Sequence, residues 1–299
     1  MAGSCVTVLM ATYNGDKYLE EQIDSILNQK GVSVNLIIRD DGSSDKTIDI
    51  LEKYKNKGVL DWYTGSRLKT AYSFFDLLKK APHSDYYAFS DQDDVWDSDK
   101  LIYAIKMLNE VSDKEYALYC CGARLVDKNL NLISIHRMDK ERTNHARLFF
   151  ANIAGNTIVM NHSLRNKIIY HIPNHLVMHD SYCVKLALCL GARIIIDSQP
   201  HLNYRQHGNN VIGMELNKKD KIKKFFSVIN NKTISKQLNE ILTLYHNDID
   251  QEYVELIESM NRCDTSVVDR LKLAFNRSID FNNFFYNLAF RIKVLINSF

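Results

Sequence analysis

Three carboxylates fall within four residues in the run Ser90-Asp91-Gln92-Asp93-Asp94-Val95-Trp96. The apolar stretch Tyr86-Tyr87-Ala88-Phe89 precedes them and reads as a buried strand, and a helical pattern begins soon after, at Asp97. Like charges a few ångströms apart repel strongly, so such a cluster needs a positive group to offset it. A divalent cation is the simplest candidate, because carboxylate oxygens suit Mg²⁺ or Mn²⁺. The place fits as well, since open α/β sheets bind ligands outside the carboxyl ends of their strands. The competing reading is a solvated acidic turn with Asp97 capping the next helix.

Composition narrows the classes. With 299 residues, 45% of them hydrophobic, the chain can bury a sizeable core in one large domain, or in one domain with an appendage. A net charge of +2 argues against a nucleic-acid partner. No stretch approaches the roughly 20 apolar residues of a membrane span. The N-terminus lacks the basic and apolar regions of a secretory signal, so a cytoplasmic location is expected. The six cysteines show no CxxC spacing and two are adjacent, Cys120 and Cys121; buried reduced thiols are expected rather than disulfides or zinc.

The elements that must position the acidic run come in alternation. Residues 6–12 (VTVLMAT), 34–38, 59–63 and 86–89 read as strands, with helical spacing over 16–29, 46–54 and 72–80 between them. Ser44 or Asp45 would cap the second helix. Strands alternating with helices predict a doubly wound, mostly parallel sheet. The first two strands end in Tyr13-Asn14 and Asp40-Asp41, and the fourth ends in the acidic run, so three polar loops converge on one edge of the sheet.

Ala11-Thr12-Tyr13-Asn14, Arg39-Asp40-Asp41-Gly42-Ser43 and Ser90-Asp91-Gln92-Asp93-Asp94-Val95-Trp96 resemble the successive motifs of family 2 glycosyltransferases. The likeness is greatest to the bacterial branch labelled rhamnosyltransferase-like, which builds surface polysaccharides, and it covers about residues 4–213. The resemblance implies the GT-A fold, a nucleoside-diphosphate sugar donor, a divalent metal and inversion at the anomeric carbon. It implies that Thr12 and Tyr13 line the nucleobase pocket, that Asp40 accepts from the base N–H, and that Asp41 lies near base or ribose. Asp91-Gln92-Asp93 would be the DxD element, Asp91 approaching the ribose and Asp93 binding the metal, with Asp94 the branch's extra carboxylate.

One departure from the family is the loop Ser66-Arg67-Leu68-Lys69-Thr70, where Lys69 replaces an expected Gly. Arg67 or Lys69 would then place a cation near the diphosphate; the alternative is a solvated surface loop. Further on, a helix is expected over 100–109, a strand over 116–123, a turn at 127–131 and a mobile, lid-like loop over 136–144. Gly155 and Asn156 precede a strand at 158–160, and the family places this segment under the donor sugar or acceptor; a tight strand entry requiring Gly is the other reading. His179-Asp180 opens a helix over 181–190 in the place of the family's Glu-Asp motif, which would make Asp180 the catalytic base. The competing role for Asp180 is that helix's N-cap. Strands at 193–197 and 201–204 lead into Arg205-Gln206-His207-Gly208-Asn209-Asn210, where His207 would complete the metal site or hold the diphosphate.

Two units are expected: a catalytic domain over 1–215, split into a nucleotide half (1–96) and an acceptor half (97–215), and a helical region over 216–299. The latter carries lysines at 218, 219, 221, 223 and 224 before Phe225-Phe226. Phe281, Phe284, Phe285, Leu288, Ile292, Leu295, Ile296 and Phe299 recur there at helical spacing. A glycan or lipid-linked acceptor, implied by the branch, favours a stripe lying peripherally on the inner face of the plasma membrane over one buried against protein. The rivals to a transferase are another nucleotide enzyme centred on Asp40-Asp41-Gly42, and a non-catalytic partner that binds nucleotide sugar or lipid.

Overall fold

The computed structural model describes residues 3–68, 70–207 and 232–297. The nucleotide half alternates as expected: β1 (Cys5–Thr12), α1 (Leu19–Leu27), β2 (Ser33–Asp40), α2 (Thr47–Asn56), β3 (Asp61–Thr64), α3 (Thr70–Lys80) and β4 (Tyr86–Ser90). Then come β5 (Val95–Trp96), α4 (Lys100–Leu108), β6 (Ala117–Val126), β7 (Leu132–His136), α5 (Asn144–Phe149), a 3₁₀ turn (Gly155–Thr157), β8 (Val159–Asn161), α6 (His162–Ile168), α7 (His179–Cys189) and β9 (Arg193–Arg205). The final helices are α8 (Lys232–Tyr245), α9 (Gln251–Arg262), α10 (Val267–Ala274) and α11 (Phe284–Leu295).

The sheet runs β3-β2-β1-β4-β8-β6-β9-β5, with β7 paired to β6 off that path. Strands β3, β2, β1 and β4 are parallel, as right-handed βαβ crossovers require. From β8 onward the pairing is mixed, antiparallel for β4–β8 and β6–β8 and parallel for β6–β9. β1 explains the continuous apolar run. Val6, Val8 and Met10 are buried against Leu19, Ile23 and Ile26 of α1 on one face, whereas Leu9 packs with Phe74, Leu77 and Leu78 of α3 on the other. A strand sandwiched between two helical layers has no polar face to show. Register then makes the site: Thr12 lies opposite Asp40, and Met10 opposite Ser90, so the loops leaving β1, β2 and β4 emerge side by side.

The expected Asp97 cap does not form. Helix α4 begins two residues later behind Asp99, and the Asp97 carboxylate is paired with Arg124 of β6. The segment expected as a mobile lid is short and anchored. Thr143 caps α5 and exchanges hydrogen bonds with Asp280, its N–H donating to the Asp280 carbonyl at 3.0 Å and its hydroxyl accepting from the Asp280 N–H at 3.0 Å. The cysteines are free thiols, five of them buried.

The expected boundary at 215 lies outside the described residues, as do Lys69, the 208–210 part of the closing motif, the 218–226 stretch and Phe299. Helices α8–α11 share one core with α3, α5 and α7: Leu238, Ile241 and Tyr245 join Tyr182 and Leu186, and Phe290 meets Phe149 at a ring separation of 5.1 Å. Polar ties reinforce that seam, including Lys185 to Gln237 and Lys167 to Asp248, each at 2.7 Å. Helix α11 has two faces. Ala289, Phe290 and Val294 are buried, while Phe284 (73%) and Phe285 (60%) are exposed along with Leu288, Ile292, Leu295 and Ile296. Phe281 leaves the expected stripe: it precedes the helix and is fully buried, 5.5 Å from the Phe290 ring. No described helix is long and apolar enough to cross a membrane.

Candidate active site

The loops at the sheet edge are wired to one another. Gln92 Oε1 accepts from the Thr12 hydroxyl (2.6 Å) and from the Tyr13 N–H (2.9 Å), and its amide donates back to the Tyr13 carbonyl (3.2 Å). The middle residue of Asp91-Gln92-Asp93 therefore acts on the neighbouring loop. Gly15 belongs to the same contact: a Cβ there would lie 2.4 Å from Gln92 Oε1, so a side chain at this position would displace the Gln92 amide from the β1 loop. Asn14 completes the lattice, its N–H donating to the Ser43 hydroxyl (2.9 Å) and its side-chain oxygen accepting from the Ser44 N–H (2.9 Å). Tyr13 is left 38% exposed with the Arg67 guanidinium 4.4 Å over its ring. Arg67 thus stacks on Tyr13 and does not line the cleft.

The two aspartates after β2 divide their work. Asp40 is fully buried, and its carboxylate closes its own loop by accepting from the N–H groups of Gly42 and Ser43 (2.9 Å each) and from the Ser43 hydroxyl (2.5 Å). With those bonds made it does not line the cleft. Asp41 does, held by Arg39 and by the Ser73 hydroxyl at 2.6 Å.

Asp91 and Asp93 open onto the cleft; Asp94 lies underneath, 1% exposed. Asp94 accepts from the Asn156 side-chain amide and from the Arg205 backbone N–H (3.1 Å). Asn156 is thus a buried support for the acidic loop, and its carbonyl accepts from buried Lys100 at 2.8 Å. Burial, and after it the charges of Asp94, Asp93 and Asp180, push the Asp91 carboxyl well above the usual carboxylate range, against the opposing charge of Lys100. Asp93 faces His207, with Oδ2 and Nε2 2.7 Å apart. A carboxylate oxygen and an imidazole nitrogen converging beside uncompensated negative charge fit a divalent cation. The one group of three converging carboxylate and imidazole donors among the described residues, Asp97, Asp99 and His201, does not include this pair and lies away from the cleft, with Asp97 already paired with Arg124.

Across the cleft stands Asp180. It is not the N-cap of α7, a position held by Met178, but belongs to the helix's first turn. Its Oδ2 accepts from the Gly155 N–H (3.0 Å) and its Oδ1 from the Ser181 N–H (2.6 Å). Burial pushes its carboxyl up to about 6, opposed by those two N–H groups and by the charge of Lys185. Gly155 is required here: a Cβ would sit 2.6 Å from His179 Nε2. The His179 ring stacks on Phe74 at 3.8 Å and edges against Phe89 at 4.7 Å, with both nitrogens buried and unbonded. Burial drives its pKa down to about 3, so a neutral ring packs beside Asp180.

These groups line one cleft of about 1440 Å³, in which Thr12, Tyr13, Asp41, Asp91, Gln92 and Asp93 meet Gly155, Asp180 and His207. Asp40, Arg67 and Asn156 stand outside it. Sequence reasoning missed Tyr18, Arg142 and Lys185, all on its walls. Tyr18 falls within the helical spacing of residues 16–29, which gives no sign that its ring lies 5.1 Å from that of His207. Lys185 was a charge inside an apolar helix, a signal that could have been read.

Against known proteins, the family model described as "Glycosyl transferase family 2" matches residues 7–181. The dTDP-rhamnosyl transferase RfbG of Shigella flexneri is 30% identical over 261 residues, covering 80% of this chain and 85% of RfbG. The structure of S. aureus TarS residues 1–349 in complex with UDP-GlcNAc superposes with a TM-score of 0.59 at 17% identity, covering 100% of this chain and 79% of that one. The mannosyltransferase PcManGT from Pyrobaculum calidifontis, in complex with GDP-Man and Mn²⁺, gives a TM-score of 0.53 at 15% identity, covering 99% and 88% of the two chains. These neighbours share the GT-A architecture.

Proposed function

The chain belongs to family 2 of the glycosyltransferases, and on that premise we propose that it transfers a sugar from a nucleoside-diphosphate donor to a hydroxyl acceptor, with inversion at the anomeric carbon. The observation that carries the mechanism is the placement of Asp180, held by two N–H groups in the same cleft as Asp91 and Asp93. Asp180 removes the acceptor hydroxyl's proton, the freed oxygen attacks the anomeric carbon, and the carbon–oxygen bond to the diphosphate breaks with its electron pair on the leaving group. Tyr13 stacks on the base, its other face covered by Arg67, with Thr12 and Asp41 beside it and Asp91 toward the ribose. Asp93 and His207 are the residues that would hold a divalent ion, Mn²⁺ or Mg²⁺, which when bound neutralises charge on the departing diphosphate.

The likeness to RfbG supports dTDP-rhamnose as the donor to test first, with UDP-hexoses next. The acceptor in this reading is a glycan or lipid-linked sugar of a cell-surface polysaccharide, met at the inner face of the membrane. Val267, Val268, Leu271 and Phe275 of the α10 region are exposed as well, on a helix packed against α11. Arg270, Lys272, Arg277 and Arg291 outnumber Asp269 and Asp280 around it, a balance suited to anionic lipid. Replacing Phe284 and Phe285 with Ser should abolish flotation with anionic vesicles while leaving stability within about 0.5 kcal/mol.

The reading is tested by nucleotide release with Mn²⁺ across a panel of nucleotide sugars, comparing wild type with Asp93→Asn. Metal-dependent release from one donor, lost in the variant, is expected. No release and no donor binding would leave a non-catalytic partner as the better account.

A further inference from the structure

The end of the cleft opposite the strand loops contains buried cations with too few partners. Arg142 is 6% exposed and lines the cleft; Arg147, on α5, is 1% exposed. Arg142 donates from Nη1 to the Phe150 carbonyl at 3.0 Å, but its Nε lies 3.9 Å from the Asp139 carboxylate, beyond hydrogen-bond reach, and has no acceptor. Arg147 donates to the Asp139 carbonyl, and its Nε is likewise buried without an acceptor. Among the described residues Asp139 is the only carboxylate paired with either guanidinium, and its Oδ1 already accepts from the N–H groups of Glu141 and Arg142. Lys185 lines the same cleft at 3% exposure, but the Asp180 carboxylate faces it as a counter-charge and its ammonium donates to Gln237 Oε1, so Arg142 is the cation left short of partners.

Burying a charge without a counter-charge is strongly unfavourable, and such groups persist where a ligand completes them. Burial and the neighbouring Arg147 push the Arg142 pKa down to about 10, which leaves it charged at neutral pH. The groups beside Arg142 are Asp139, Arg147, Phe150, Phe281 and Tyr286, none of them from the strand-end loops that face the donor. A donor diphosphate at the acidic loop would therefore leave this cation unmet.

We infer that the far end of the cleft is an oxyanion site in which Arg142 binds a phosphate or carboxylate carried by the acceptor. The inference rests on the transferase reading in calling that ligand the acceptor. Planar guanidinium donors suit either oxyanion, and charge-assisted bonds of this kind are the strong ones.

The test uses wild type, Arg142→Gln and Arg142→Lys, each saturated with the preferred nucleoside diphosphate and Mn²⁺ so that the donor site is filled. Each is titrated calorimetrically with N-acetylglucosamine 1-phosphate, methyl glucuronide and methyl glucoside. One anionic probe should bind wild type at least about tenfold more tightly than the neutral glucoside. Arg142→Gln should erase that preference and Arg142→Lys keep part of it, with nucleotide affinity the same in all three. Preference for the phosphate or for the uronate identifies the source of the anion. Equal binding of charged and neutral probes, or a preference that survives Arg142→Gln, would overturn the inference. Should Arg142→Gln fail to fold, Arg142→Lys decides: a reduced preference supports the inference, and a preference as large as in wild type overturns it. If wild type held no nucleotide the transferase reading would fail, while the same titration on the nucleotide-free protein would still decide the anion site.

Discussion

The two ends of the cleft are built on opposite plans. At the strand ends, polar side chains are bonded to one another before any ligand arrives: Gln92 to the β1 loop, Asn14 to the β2 loop, Asp41 to Arg39 and Ser73. Around the far end, Arg142, Arg147, His179 and Gln237 keep buried nitrogen atoms without partners; on the strand-end side the unbonded buried atoms include the Tyr18 hydroxyl, the Gln206 amide nitrogen and Asn156 Oδ1, outside the bonded loop lattice. A satisfied lattice holds its shape and presents fixed faces to a ligand of constant chemistry, as the nucleotide part of a donor is. Unmet buried donors instead reward whichever ligand supplies the missing acceptor, which on the proposed reading makes Arg142 the group that distinguishes acceptors.

The largest expected effect tests that division at the base. Asp180→Asn keeps the shape of the side chain but cannot take a proton, so turnover should fall by about 10²-fold or more with donor affinity unchanged. Steady-state rates beside nucleotide titrations check both halves of that statement. A smaller loss is expected from Gly155→Ala, whose new methyl group meets His179 Nε2 and displaces the N–H that holds Asp180. Turnover should drop by roughly tenfold or more through misplacement alone, again at constant donor affinity. Gln92→Ala attacks the other end. Losing three hydrogen bonds that fix Thr12 and Tyr13 should raise the donor KM about tenfold and leave the single-turnover rate at saturation nearly intact. Equal effects of Gln92→Ala and Gly155→Ala on binding and rate would erase the distinction between the two ends.

The same contrast explains what could be read from the sequence. The donor end arises from loops that directly follow strands, so a continuous apolar run and the polar residues after it announce both element and site. The far end is assembled from α7, the loop before α5, and helices α8 and α11, whose members at 142, 185, 237 and 286 share no local pattern. Individual roles were also hidden, because they depend on where hydrogen bonds go. Asp40 and Asp41 are adjacent and chemically identical, yet one closes a loop and the other faces the cleft. Periodicity likewise grouped Phe281 with Phe284, although the chain before the helix turns Phe281 into the core.

The most direct test of Asp180 as the base is the pH dependence of kcat/KM. Burial holds its carboxyl near 6, and the base works only when deprotonated, so the rate should fall about tenfold per pH unit below about 6 and level off above it. In Asp180→Asn the residual rate should lack that acid limb. A variant that turned over at the wild-type rate with the same acid limb would contradict the account.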